Sequence, residues 1–306
     1  MSRVIPVIYR NMKYPAHIKA SIHEVSGNFC MKKELHVNFP YSLHTESSFE
    51  QRTFGSKFVN GLEHIKKAQI NGIPQLWRNK EWADEFFTFV ERLINSNKPP
   101  DVLEIHPPYM DYCDSFNHFL KTFKVFYDKF ELKYPKTKIF IENRYGTRYK
   151  DKNKKPGKFI LSTCSDILEF CKILGKKNIN LKIALDYPQI FSAEINDDGL
   201  KWNDIALEKK KILSFNKDLE KYREQIGGIH MWGKLRSKDG KRWKAHAGNF
   251  DTFFCKNKEL KNEFLKSVFS TFNDGKDRYF VPEIISGTND LHSIVKDMKN
   301  EYFIFI

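Results

Sequence analysis

No stretch of this chain reaches the roughly 18 uninterrupted apolar residues that a membrane-spanning helix requires. The amino terminus, MSRVIPVIYRNMKYP, breaks its apolar run with Arg10 and Lys13 and shows no cleavage-site pattern. No membrane partner is implied, and a cytoplasmic location is expected. Cysteine is scarce: five thiols, at Cys30, Cys113, Cys164, Cys171 and Cys255, with no C-x-x-C pair. That odd, scattered set argues against a zinc ribbon and against a disulfide framework. Cys164 and Cys171 lie one heptad apart in an apolar helical pattern, so plain burial is expected for both. No glycine-rich phosphate loop follows the first strand pattern, which weighs against a dinucleotide-binding fold. Acidic residues are in deficit, 38 against 52 basic ones, leaving a net charge of +14. Such an excess suits a polyanionic partner, because lysine and arginine displace counterions from phosphates. A lysine-rich solvated surface has the same composition.

What is present is a core and a rhythm. Hydrophobic residues make up 41% of the 306, enough to exclude disorder. Short β-branched or aromatic runs alternate with longer amphipathic stretches. Strands are expected at Val4–Tyr9, Glu34–Phe39, Val102–His106, Lys138–Glu142, Leu181–Asp186, Gly227–Met231 and Tyr279–Glu283. An eighth is expected near Ile73–Trp77, where Pro74 weakens the pattern. Residues 112–132 place Phe116, Leu120, Phe123, Tyr127 and Phe130 on one helical stripe, and residues 82–94 do so with Trp82, Phe86, Phe89, Val90 and Leu93. Near the end, Thr288 or Asn289 can cap a helix that buries Leu291, Val295 and Met298. Alternation of this kind predicts an α/β fold with a parallel sheet, and its seven or eight units fit a single (β/α)₈ TIM-type barrel over residues 1–306. The pattern is weakest in the first hundred residues. KDKNKKPGK, Lys150–Lys158, reads as a basic loop on the barrel face.

Five strand patterns end in a potential metal ligand: His106 in VLEIHPPY, Glu142 in KIFIENRYG, Asp186 in LKIALDYPQ, His230 in GGIHMWGK and Glu283 in RYFVPEI. They recur about once per βα unit of roughly 30 to 45 residues. In a barrel that recurrence brings all five to the carboxyl-end mouth. A lone His or Asp at a strand end is more often a hydrogen-bonded structural group; five in register point to a site. Carboxylates with imidazole suit Zn²⁺, Mn²⁺, Fe²⁺ or Mg²⁺, and the missing thiolates argue against a structural zinc.

These elements resemble the xylose-isomerase-like barrel superfamily, which includes sugar isomerases and epimerases, endonuclease IV and the ultraviolet-damage endonucleases. The resemblance runs from about residue 100 to 285 and more weakly before that. It implies that Glu142, Asp186, His230 and Glu283 form the shared metal site. His106, in Ile105–His106–Pro107, resembles the histidine that ligates a second metal in endonuclease IV, and His246, in AHAGNFDTF, resembles the later histidine of both repair families. Two positions depart from endonuclease IV: Gln189 stands where it has a histidine and Lys244 where it has an aspartate. Most of a third metal site is therefore lost; one metal is implied and a second is permitted. The early histidine of that second site has no clear counterpart; Asn38, His36 and His44 are the nearby candidates.

Two mechanisms fit this set. A phosphodiesterase acting on DNA would use Glu142 or Glu283 to hold or deprotonate the nucleophile beside the metal. Arg144, Arg148, Lys234, Arg236, Lys241, Arg242 and Lys244 would bind the strand, and Trp232, Trp243, Tyr145 and Tyr187 would stack on bases. The segment WGKLRSKDGKRWKAH, Trp232–His246, carries most of this reading; the plain alternative is a solvated loop. A sugar or sugar-phosphate isomerase or epimerase would use the same four ligands around a single metal, with two glutamates exchanging a proton at carbon. A barrel that only binds is the third class, and an intact four-ligand set weighs against it. The endonuclease reading is favoured by the charge and by the aromatics.

Overall fold

The computed structural model describes residues 1–46, 53–54, 57–95, 97–145, 158–195, 209–237 and 243–306. Eight strands build a parallel barrel: β1 (Arg3–Ile8), β2 (Ile22–Gly27), β3 (Tyr41–Thr45), β4 (Val102–Ile105), β5 (Lys138–Glu142), β6 (Leu181–Asp186), β7 (Ile226–His230) and β8 (Asp277–Val281). They follow one another around the sheet in chain order, and β8 pairs with β1 to close it. This is the α/β TIM-type fold that the alternation predicts. No helix among the described residues is long and apolar enough to cross a membrane.

The chain divides into two compact units, residues 1–23 with 163–306, and residues 24–162. In the first, β6 pairs with β7 through Asp186↔His230, and β7 pairs with β8 through His230↔Val281. Strand β1 pairs with β8 and also takes the short carboxyl-terminal strand Ile304–Phe305. Helices α3 (Cys164–Leu174), α4 (Lys258–Thr271) and α5 (Thr288–Asn300) belong to this unit. Thr163 and Asp166 form a capping box at the start of α3, so two orphan backbone donors are satisfied. Cys164 and Cys171 are buried on that helix as free thiols. Leu291, Val295 and Met298 are buried on α5. Its N-cap is Gly287, with no side-chain cap, rather than Thr288 or Asn289; the φ of 147° at Gly287 is a conformation that glycine tolerates best.

In the second unit, β3, β4 and β5 pair in register, with His44 opposite Glu104 and Ile105 opposite Ile141. Helices α1 (Lys80–Ile94) and α2 (Phe116–Lys133) carry the two aromatic stripes. Phe116, Leu120, Phe123 and Phe130 are buried as the periodicity predicts; Phe119 and Phe126 join them, while Tyr127 is half-buried. Trp77 sits amid these rings, edge-on to Trp82, Phe86, Phe119, Phe123 and Phe126 at centroid distances of 5.1–5.7 Å. Each such pair adds about 0.5–1.5 kcal/mol beyond burial.

The first hundred residues differ from the sequence reading. Glu34–Phe39 forms no strand, because its backbone is satisfied by a side chain: Val37 N donates to Asn97 Oδ1, and Asn97 Nδ2 donates to Leu35 O, both at 2.9 Å. The strand begins after Pro40, which has no N–H to give. Ile73–Trp77 is not a barrel strand either. Ile73–Pro74 pairs antiparallel with Gln69–Ile70 across Asn71 and Gly72, both at positive φ, the backbone of a tight two-residue hairpin turn. The eighth barrel strand is Ile22–Gly27 instead.

Candidate metal centre

Strand ends decide which side chains gather in each unit. In residues 24–162, β3 ends near His44, β5 ends at Glu142, and His106 follows directly on β4. Their donor atoms converge on one spot: His44 Nε2 is 3.1 Å from His106 Nε2 and 3.2 Å from Glu142 Oε2, and His106 Nε2 is 2.7 Å from Glu142 Oε2. All three residues are 2% exposed. Two imidazole nitrogens and a carboxylate oxygen directed at one another out of water are a donor set that could hold a metal ion. Around them, Glu24 Oε1 accepts from His44 Nδ1 at 3.0 Å, Glu104 Oε1 lies 3.3 Å from His44 Nε2, and Trp77 Nε1 donates to the His106 carbonyl at 2.7 Å.

Charge within this unit sorts the two histidines. Burial, and then the positive charge of Arg144, lower the His106 imidazole to about 3, so it is neutral and can ligate. Burial opposes charge on His44 as well, yet the Glu104 and Glu24 carboxylates outweigh it and raise that imidazole well above the ordinary range. Burial would raise the Glu142 carboxyl; Arg144 and the bonds from His106 and His44 hold it well below its usual value. Glu142 is therefore a carboxylate at neutral pH.

In residues 163–306, Asp186, His230 and Glu283 come together, each offering a donor atom within 4.8 Å of the others. Asp186 and His230 are completely buried, Glu283 is 5% exposed, and His230 Nδ1 stands 3.6 Å from Glu283 Oε1. Asp186 is oriented from two sides, by Trp232 Nε1 and by the Gln189 backbone N–H, each at 2.8 Å. His246 packs on Trp232 with ring centroids 4.2 Å apart, and its Nδ1 donates to the Glu283 carbonyl at 3.0 Å. It is 29% exposed at its side chain and belongs to no set of three clustered ligands among the described residues.

No protein-family model matches the sequence, and no curated protein matches it. Among solved structures, one match is the crystal structure of AsfvAP:AG, at 10% identity and TM-score 0.45, covering 86% of this chain and 84% of that one. Another is a xylose isomerase domain protein from Planctomyces limnophilus, at 11% identity and TM-score 0.38, covering 91% and 95%. The fold itself, eight parallel strands in chain order with β8 pairing with β1, is a TIM-type barrel.

Among the described residues, fewer of the expected phosphate-binding side chains face solvent than the sequence implies. Trp232 is 2% exposed and committed to Asp186, so it is not a stacking platform. Lys234 is 4% exposed and reaches Ser192 Oγ at 3.3 Å. Arg144 is 5% exposed, beside Glu142 and His106. Tyr187 is buried and donates to Asn216 Oδ1. Arg236 and Lys244 do face solvent, on the hairpin Lys234–Arg236 with Trp243–Ala245, and Tyr145 is half-buried. Arg148, Lys238, Lys241, Arg242 and most of Lys150–Lys158 lie outside the described residues, as does the side chain of Trp243.

Sequence reasoning passed over Glu24 and Glu104 and left His44 as one of three candidates. Glu104 was accessible, since residues i and i+2 of a strand share a face and His106 had been singled out. Glu24 was not, because the strand that carries it, IHEVSG, has too few apolar residues to stand out.

Proposed function

We propose that the protein is a divalent-metal-dependent phosphodiesterase acting on DNA. Asp186, His230 and Glu283 would hold one ion, and His44, His106 and Glu142 would hold a second. The observation that carries this reading is the buried His44–His106–Glu142 cluster. A single-metal isomerase has no use for a second ligand set of two imidazoles and a carboxylate, whereas phosphoryl transfer draws on more than one ion. Bound ions would supply positive charge against the phosphoryl oxygens and a more acidic water. Glu142 is kept ionised and His106 neutral, so both meet an ion as ligands without first losing a proton. Glu283, less enclosed than Asp186 or His230, is the carboxylate suited to take the proton from the nucleophile.

The second reading is a sugar or sugar-phosphate isomerase or epimerase. It is favoured by the burial of Trp232, Lys234 and Arg144, three side chains that the phosphodiesterase reading would place against the strand. Incubating the purified protein with Mn²⁺ or Zn²⁺ on abasic, ultraviolet-damaged and undamaged DNA, and in parallel on aldoses and their phosphates, separates the two. Strand scission supports the phosphodiesterase. Aldose–ketose or epimer interconversion with intact DNA sinks it.

A further inference from the structure

The segment between β1 and β2 replaces a crossover helix with an irregular loop, residues 9–21, and that loop walls a cavity of about 520 Å³. Arg10, Lys13 and His23 line it together with Asn11, Met12 and Tyr14, and no Asp or Glu does. The first 23 residues contain no acidic residue at all. Arg10 and Lys13 are exposed, and neither enters an ion pair among the described residues; other surface lysines of this protein, such as Lys57, Lys124 and Lys129, do.

The loop is held in shape. Tyr14 Oη donates to the Val7 carbonyl at 3.1 Å, Met12 N to Tyr9 O at 3.1 Å and Ile18 N to Pro15 O at 2.9 Å. His292 Nε2 bonds the Lys13 carbonyl at 3.1 Å, and the Tyr14 ring packs on Phe305. Arg10 itself stands at φ 53°, where glycine would be easier and where a side chain costs on the order of 1 kcal/mol. A long cation is thus kept at a strained position, on a braced loop, beside a hollow free of carboxylates.

We propose that this cavity is a phosphate subsite that takes a backbone phosphate of a polynucleotide strand, with Arg10 and Lys13 as its cations and the Met12 and Tyr14 walls against the adjoining sugar or base. Arginine binds two phosphate oxygens as a fork, lysine adds a point charge, and apolar walls accept any base without reading sequence. The polynucleotide source rests on the phosphodiesterase reading; the phosphate chemistry does not.

The test is equilibrium binding of a fluorescent single-stranded oligonucleotide to the full protein in the presence of chelator, across a salt series, so that cleavage plays no part. The Arg10→Ala/Lys13→Ala variant should weaken binding several-fold and lower the slope of log affinity against log salt by about one to two. Lys13→Ala alone, free of any change at the strained position, should lower it by about one. Melting temperature and metal content should match the parent. If inorganic phosphate or dAMP binds the parent as tightly as the oligonucleotide does, and both variants lose that binding, the subsite stands and its ligand is a free phosphate. Folded variants with unchanged affinity and slope for every probe overturn the proposal. A protein that binds through Arg10 and Lys13 yet cleaves no DNA would defeat the phosphodiesterase reading alone.

Discussion

Glu24 Oε1 lies 3.0 Å from His44 Nδ1, and His44 turns its other nitrogen toward Glu142 and His106. A carboxylate on one ring nitrogen fixes the orientation of an imidazole and, once the other nitrogen has given up its proton, makes that nitrogen a better donor to a cation.

From that pairing, Glu24→Gln should weaken metal binding by about 10–100-fold while leaving secondary structure unchanged. Titration with Zn²⁺ or Mn²⁺ against a competing chelator reads the effect directly. Parent-like affinity would mean that Glu24 only fills space beside His44.

Glu142→Gln removes a carboxylate that touches both His44 and His106. We expect turnover to fall by at least about a hundredfold and elemental analysis to find less metal per chain. Wild-type turnover by this variant would refute the assignment of the site, whichever reaction the protein performs.

Gly233 follows Trp232 and crosses the backbone of Gly248 so closely that a Cβ at 233 would stand 2.2 Å from the Gly248 carbonyl carbon. Backbone cannot yield as a side-chain tip can. Gly233→Ala should therefore cost about 1–3 kcal/mol or more, seen as a lowered urea midpoint. It should also disturb the Trp232 contacts with Asp186 and His246. Unchanged stability would show that the crossing is loose.

Asp274 accepts a two-pronged bond from Arg278, Nη1 to Oδ1 at 2.9 Å and Nη2 to Oδ2 at 2.7 Å. Burial alone would raise its carboxyl, but the Arg278 bonds prevail and bring it down to about 2. An acid whose folded value lies below its unfolded one stabilises the fold above the unfolded value, near 4, and loses that contribution as pH falls toward 2. Asp274→Asn should cost about 2 kcal/mol at neutral pH and almost nothing near pH 2. A constant difference between the two proteins across that range would count against the ion pair.

The strands that were legible in the sequence are those whose interior faces are apolar. Lys138–Glu142 and Leu181–Asp186 read as KIFIE and LKIALD, and they form over those very residues. Their terminal carboxylates could be picked out because they interrupt an apolar run. Strand β2 was illegible for the opposite reason: it places Glu24 toward His44, so its own inward position is polar. Pro40 and the Asn97 side chain displaced the neighbouring strand by several residues, and no periodicity argument detects a side chain satisfying backbone from 60 positions away. Burial of the basic and aromatic residues after β7 was equally hidden, since a lysine or tryptophan in a polar segment looks the same whether it faces solvent or, like Trp232, holds Asp186.

Trp77 ties two of these features together. Its indole is wedged among five aromatic rings and donates to the main chain of His106. The entropy lost in fixing that histidine is thus spent when the hydrophobic interior condenses, well before any ion arrives. Cation affinity and folding stability should accordingly rise and fall together in variants of the aromatic cluster.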